Sequence, residues 1–348
     1  MSSVRAILGI ETSCDDTAVA LVDLTGNVLG SLYANQNTLH APFGGVVPEM
    51  ASRRHTEQLL PLLEDLFAQT KMNWSHVEAI AVTSRPGLIG SLLVGVVAAK
   101  ALALAKGKKL IGINHIEGHL FAPFLHDQTY QPPQGFTFPY LGLAVSGGHS
   151  HLFLIEDVNK KTLLGKTRDD AAGEAFDKFA KLIGLGFPGG PRVDEAARTG
   201  DSKAFAFPRA LIKEDNLDFS FSGLKTAAQR ELAKMGVSDV MDRRADLCAS
   251  FQQAIVDALL AKLNKAAEQH PEIKSVTITG GVSANSALRL QSEAWAKKTK
   301  RTLALPPLRF CTDNAAMIAI AGLMHLKNGE QSMQDLSPSA QSLPGDFL

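Results

Sequence analysis

The chain has 348 residues, 45% of them hydrophobic, with 35 Lys and Arg set against 35 Asp and Glu. That length supports a sizeable core and about two domains of roughly 150 residues each. The zero net charge excludes a globally basic nucleic-acid binder, leaving only local patches for such a role.

Three widely spaced cysteines, Cys14, Cys248 and Cys311, include no CxxC pair. They exclude a disulfide framework and a structural zinc site, and they read as reduced thiols of a cytoplasmic protein.

In chain order, MSSVRAILGIE carries one Arg and a very short apolar run, so it reads as a first strand and not a signal peptide. Further strands are expected at 16–23, 77–84, 109–114, 140–146, 150–157, 275–281 and 302–306. Helices are expected over 49–69, 88–106, 115–126, 171–184, 222–235, 242–269, 284–299 and 312–328. This alternation predicts α/β layers with partly parallel sheets. The stretch LIGSLLVGVVAAKALALA (88–105) approaches the length of a membrane span. Lys100 and the many small residues favour a buried helix of an α/β core, with no membrane involved. QPPQGFTFP (131–139) reads as a connector at a lobe boundary. The division expected is a first lobe over 1–115, a second over 116–312, and a helix at about 313–328 packing back on the first. The Ser/Gln/Pro-rich segment 329–348 reads as a loosely held tail.

An internal echo organises the chain. LGIETSCDDTAVALVD (8–23) and LGLAVSGGHSHLFLIE (141–156) align without a gap, placing Ser13 on Ser146, Asp15 on Gly148 and Leu21 on Leu154. Two unrelated hairpins would also align; the alternative is a duplicated fold whose hairpin turns face a shared cleft and offer amides to an anion. SVTITGGVSANSALRLQ (275–291) adds strand, Gly-Gly turn and helix, with Ser283 or Asn285 as the cap. Together these form a nucleotide-site pattern.

His115 and His119 of HIEGH lie at i and i+4 after KLIGIN, a spacing that can chelate one cation from one helical face. The competing reading makes one a cap and the other an interior side chain. A zinc protease of the HExxH type needs Glu directly after the first His, where this chain has Ile116; the only acid in the motif is Glu117. Asp313 in FCTDNAAMIA offers a third ligand, with an N-cap as its ordinary alternative. Two imidazoles and one carboxylate would leave positions open for substrate.

GLGFPGG (184–190) contains a formal GxGxxG, yet it follows a helix and carries Pro188, so it reads as a backbone approach site and not a dinucleotide fingerprint. Glu174, Asp177 and Lys178 fit a solvated helix face, and Ser222 fits a helix cap.

Nine motifs now stand in one order: GIETSCDDT, VPEMASRRH, HIEGH, VSGGHS, DDAAGEAFDK, FPGGP, FSFSGLKTA, GGVSAN and CTDNAAMIA. Over residues 5 to 328 this set resembles the tRNA N6-adenosine threonylcarbamoyltransferases, once labelled O-sialoglycoprotein endopeptidases, in their bacterial form. The resemblance implies an α/β, two-lobed actin-like ATPase fold, ribonuclease H-like and duplicated, with a ligand cleft between lobes. It implies transfer of a threonylcarbamoyl group from threonylcarbamoyl-adenylate to N6 of the adenosine 3′ of the anticodon in ANN-decoding tRNAs, releasing AMP.

By the same resemblance His115, His119 and Asp313 match metal ligands, usually for iron, with zinc as the alternative. Ala144, Val145, Ser146, Gly147, Gly148, Asp177, Gly190, Asp194 and Asn285 match substrate-binding positions. Asp15 and Asp16 match acidic residues at the phosphate-binding end; on chemical grounds, since the attacking amine must lose a proton, a carboxylate, Asp15 for preference, is expected to accept it. Implied partners are tRNA, a metal-free paralogue that dimerises with the first lobe, and a small P-loop ATPase. Basic runs at Arg53–Arg54, Lys106–Lys109 and Lys297–Arg301 are local candidates for RNA contact. Two rival readings remain: a metalloprotease of glycoproteins, and a non-catalytic, nucleotide-switched actin-like scaffold.

Overall fold

The structure is a computed structural model describing residues 4–43, 45–343 and 345–347. The chain divides into two compact units, Met1–Pro132 with Arg309–Phe347, and Pro133–Leu308.

The first unit is built on a five-stranded sheet of β1 (Ala6–Glu11), β2 (Thr17–Asp23), β3 (Val28–Ala34), β4 (Val77–Arg85) and β5 (Lys109–Asn114), in the order β3-β2-β1-β4-β5. β1 pairs antiparallel with β2 and parallel with β4, and β5 joins β4 in parallel. Every residue of β1 is buried because helices cover both faces, so its sequence shows an apolar run and not an alternation. Successive side chains still point to opposite faces. Leu8, Ile10, Ile80 and Val82 pack with Leu59, Leu63, Val96 and Ala99 of the helices Pro48–Thr70 and Ile89–Lys106. Gly9 faces the C-terminal helix Ala315–Lys327 on the other side, where an added Cβ would stand 2.1 Å from the Ala315 carbonyl oxygen. Only glycine lets that helix start so close to the end of β1.

The second unit repeats the plan with β6 (Tyr140–Val145), β7 (Ser150–Ile155), β8 (Lys161–Lys166), β9 (Ser275–Thr279) and β10 (Thr302–Ala304), in the order β10-β9-β6-β7-β8. The pairing directions match strand for strand. The gapless echo carries over into register: Leu8 faces Leu21, and the aligned Leu141 faces Leu154. The core of this unit includes Phe179 stacked on Phe251, with ring centroids 3.9 Å apart.

Four expectations are corrected. The division falls at Pro132/Pro133 and not after residue 115, because the helix His115–Phe121 packs on the C-terminal helix, with Gly118 against Met317 and Ile318. His126 also hydrogen-bonds Gly26 and Val28 of the first unit. The chain re-enters that unit at Arg309, whose guanidinium pairs with Asp127 at 2.7 Å.

The helix Ile89–Lys106 is not wholly buried. It packs Leu92, Gly95, Val96, Ala99 and Ala103 inward, while Ile89, Leu93, Val97 and Leu104 stand exposed. It is long and apolar enough to cross a membrane by length and composition. In this fold its inward face covers a sheet.

The tail is not loose either. Ser332 N–H bonds the Leu110 carbonyl at 2.7 Å, and Leu336 lies against Gly112. The Asp346 carboxylate takes Arg85 at 2.5 Å and the Asn114 amide at 2.9 Å. Finally, β3, β8 and the helix Gly189–Ala197 were not expected. β3 and β8 are half-exposed edge strands broken by Gly30 and Gly165, and the helix opens on Gly-Gly-Pro.

Candidate functional site

β5 ends at Asn114, whose side-chain oxygen accepts the Ile116 amide at 2.9 Å and starts the HIEGH helix at His115. The C-terminal helix is capped by Asn314, which accepts the Met317 amide at 2.9 Å. Asp313 therefore does not serve as the N-cap; it stands one residue outside it. Its Oδ1 lies 3.4 Å from His115 Nε2 and 3.2 Å from His119 Nε2. The three ligand atoms lie within 4.8 Å of one another. The two imidazoles meet edge to face at 4.8 Å and 88°.

His119 is buried; among the described residues its Nδ1 has no hydrogen-bond partner, and its Nε2 meets only the Asp313 carboxylate, at 3.2 Å. Leaving such a group unsatisfied costs about 1–3 kcal/mol. A cation held between the two Nε2 atoms and the carboxylate would satisfy His119 Nε2, so the residues present fit a metal.

Glu11 was missed in the sequence. Its buried carboxylate lies 3.1 Å from His115 Nδ1 and accepts the Thr83 hydroxyl and the Ser13 amide, each at 2.5 Å. Held this way, His115 presents Nε2 to Asp313. The available signal was an acid closing an otherwise apolar strand. Burial alone would depress His115, but the Asp313 and Glu11 carboxylates hold it well above the usual imidazole value. Burial would raise Asp313, and His115 and His119 hold it well below the carboxylate range. Burial lowers His119.

The turn Cys14–Asp16 joins β1 to β2. It is pinned by His55, whose Nδ1 lies 2.7 Å from the Thr17 hydroxyl and whose Nε2 lies 3.0 Å from the Cys14 carbonyl oxygen. His55 closes the VPEMASRRH motif, and its role was also missed. Burial and the neighbouring Asp15 carboxylate push Asp16 up to about 7, and Asp16 Oδ1 is buried with no hydrogen-bond partner. Glu117 is engaged elsewhere, with its Oε1 3.0 Å from His325 Nε2.

In the second unit, β6 runs through Ala144 and Val145, both buried, into the turn Ser146–His149. Ser146 N–H bonds the His149 carbonyl at 2.7 Å, and Gly173 N–H bonds the Ser146 carbonyl at 3.1 Å. A Cβ added at Gly147, Gly148 or Gly190 would meet nothing within 4 Å, so these backbones are open to close approach. Gly280 of the Gly-Gly turn behaves differently: with φ +85° it packs its backbone on Val145, while Gly281 stays open. Asp177 accepts the Gly189 amide at 2.7 Å and is raised by burial against that bond. Asn285, not Ser283, caps the helix Ser286–Thr299, accepting Leu288 N–H at 3.0 Å. Asp194 accepts the Ser286 hydroxyl at 2.6 Å, beside that cap. The expected residues thus form two groups, His115, His119 and Asp313 with Asp15 and Asp16 in the first unit, and the remainder in the second.

The duplicated sheets and the His-His-Asp corner define an actin-like α/β enzyme with a candidate mononuclear metal centre. The family model for tRNA N6-adenosine threonylcarbamoyltransferase matches residues 27–320. A protein of that name from Bdellovibrio bacteriovorus is 55% identical over 344 residues, covering 99% of each chain. One from Anaeromyxobacter dehalogenans is 50% identical, covering 95% of this chain and 97% of its own.

Among solved structures, T. kodakarensis HypF gives a TM-score of 0.62 at 10% identity, covering 94% of this chain and 49% of that one. Component A of the Acidaminococcus fermentans (R)-2-hydroxyglutaryl-CoA dehydratase gives 0.52 at 11%, covering 94% and 100%. These two likenesses concern the fold alone. The chain belongs to the tRNA N6-adenosine threonylcarbamoyltransferase family, and its activity is the modification of tRNA.

Proposed function

We propose that His115, His119 and Asp313 hold one divalent cation and that this corner serves transfer from threonylcarbamoyl-adenylate to N6 of the adenosine 3′ of the anticodon. The observation that carries the metal reading is the convergence of the buried His115 and His119 Nε2 atoms on one oxygen of Asp313. Two imidazoles and one carboxylate suit iron(II), and zinc accepts the same donors. When bound, the cation supplies Lewis-acid polarisation of the carbamoyl carbonyl.

The rest falls to the chain. As the new C–N bond forms, the bond from the carbamoyl carbon to the phosphate oxygen breaks, AMP leaves with the electron pair, and N6 gives up a proton. The acidic turn takes that proton. Asp16 suits the task better than Asp15, the choice from sequence, because a general base works best near the operating pH. The open backbone of Gly147 and Gly148 suits the adenylate phosphate, with Asp177, Gly190, Asp194 and Asn285 shaping that site.

A peptidase reading finds no base, since Ile116 fills its position and Glu117 pairs with His325. The family resemblance further assigns a cytoplasmic setting, a metal-free paralogous partner and a small P-loop ATPase. The bare stripe Ile89, Leu93, Val97 and Leu104 is the surface that suits the paralogue. Elemental analysis of wild type and His119→Ala tests the metal assignment: about one cation per chain in the first and little in the second is expected, and equal content would overturn it.

A further inference from the structure

Phe187 is the one large aromatic side chain exposed in the second unit among the described residues, at 41% of its surface. The ring stands at the tip of a structured turn with more than a third of its surface open to an occupant. The turn is held from behind: Asp177 accepts the amide of Gly189, and Gly189 sits so close to Asp177 that a Cβ there would stand 2.6 Å from the Asp177 Cα. The ring is therefore presented by a fixed backbone. Next to it, the exposed guanidinium of Arg192 lies 3.9 Å from where a Gly186 Cβ would be, one residue from Phe187. No hydrogen bond or ion pair engages Arg192 among the described residues. Three residues along from the ring, Gly190 offers open backbone.

We propose that Phe187 and Arg192 form an RNA contact, with the phenyl ring stacking on an unpaired base of the anticodon loop and the guanidinium taking an adjacent phosphate. An exposed aromatic beside an unengaged cation has the chemistry of single-stranded RNA. Unstacked bases lie on aromatic faces, and the backbone needs positive charge. A protein partner would want a wider apolar patch, and among the described residues no other exposed large apolar side chain lies between 133 and 236. This inference rests on the assignment of tRNA as substrate and adds where a loop base is gripped.

The test is binding of the full-length protein to a fluorescent anticodon stem-loop with unmodified adenosine 3′ of the anticodon, titrated at several salt concentrations. Phe187→Ala should weaken binding about 5- to 150-fold, and Phe187→Tyr should restore most of it. Arg192→Ala should lower the salt slope by about one phosphate contact. Metal content and melting temperature should stay at wild-type values in all three variants. Wild-type affinity in Phe187→Ala, or loss in Phe187→Tyr equal to that in Phe187→Ala, overturns the stacking contact while leaving the tRNA reading intact. If the wild type bound no stem-loop and modified no tRNA, the substrate reading would fail and the contact with it.

Discussion

Among the described residues His119 reaches no polar group but Asp313, so its contribution is to the corner they share, whereas Glu11 acts through His115. Such outer partners of a ligating histidine typically contribute 10- to 100-fold in metal affinity. Glu11→Gln should therefore weaken metal binding by about that factor in competition with a chelator, with the fold intact by circular dichroism. An unchanged affinity would mean that His115 needs no orienting carboxylate.

Asp16 makes a prediction in pH. Burial is the largest cause of its raised value, followed by the Asp15 carboxylate and then by Asp313. Its base form fills as pH climbs through about 7, so single-turnover transfer should rise across that range. Asp16→Asn should lower the rate about 100- to 10,000-fold and remove the rise. The same loss in Asp15→Asn, with Asp16→Asn near normal, would move the role to Asp15.

At the scale of elements, the helix Ile89–Lys106 and the tail carry the informative differences from sequence. The helix reads as buried because its sequence is apolar nearly all round. Its inward stripe of Leu92, Gly95, Val96, Ala99 and Ala103 covers the sheet, while Leu93 and Val97 face outward. Leu93→Lys with Val97→Lys should abolish co-elution with the paralogous partner without lowering the melting temperature; retained co-elution would place that contact elsewhere.

The tail was illegible for a different reason. Its average composition is that of a linker, but single residues anchor it, among them Ser332, Leu336, Ser339 and Asp346. Leu336→Ala should cost about 1–2 kcal/mol by urea denaturation, with metal content unchanged. Burial opposes ionisation of Asp346, but Arg85 and the Leu343 amide hold its carboxyl below the ordinary value. Its contribution is thus complete above about pH 4 and is lost as pH falls through the lowered value.

For the whole molecule, duplication was legible because hairpins write themselves locally: one strand, a tight turn and a facing strand stay within sixteen residues. The edge strands β3 and β8 were not, since half-exposed strands interrupted by glycine lose the apolar signal. The metal triad was legible as types and spacing. Glu11 and His55 were hidden because their partners lie 104 and 41 residues away.

For the molecule as a whole, the proposed role of the His115, His119 and Asp313 corner is threonylcarbamoyl transfer to tRNA. Reconstitution tests it most directly. Threonylcarbamoyl-adenylate, unmodified tRNA and the protein are combined with and without its partners, and the digested tRNA is read by mass spectrometry. Threonylcarbamoyladenosine should form with the wild type and fall to background with His119→Ala. Full product from metal-free His119→Ala would contradict the account and favour a scaffold with no chemistry at this site.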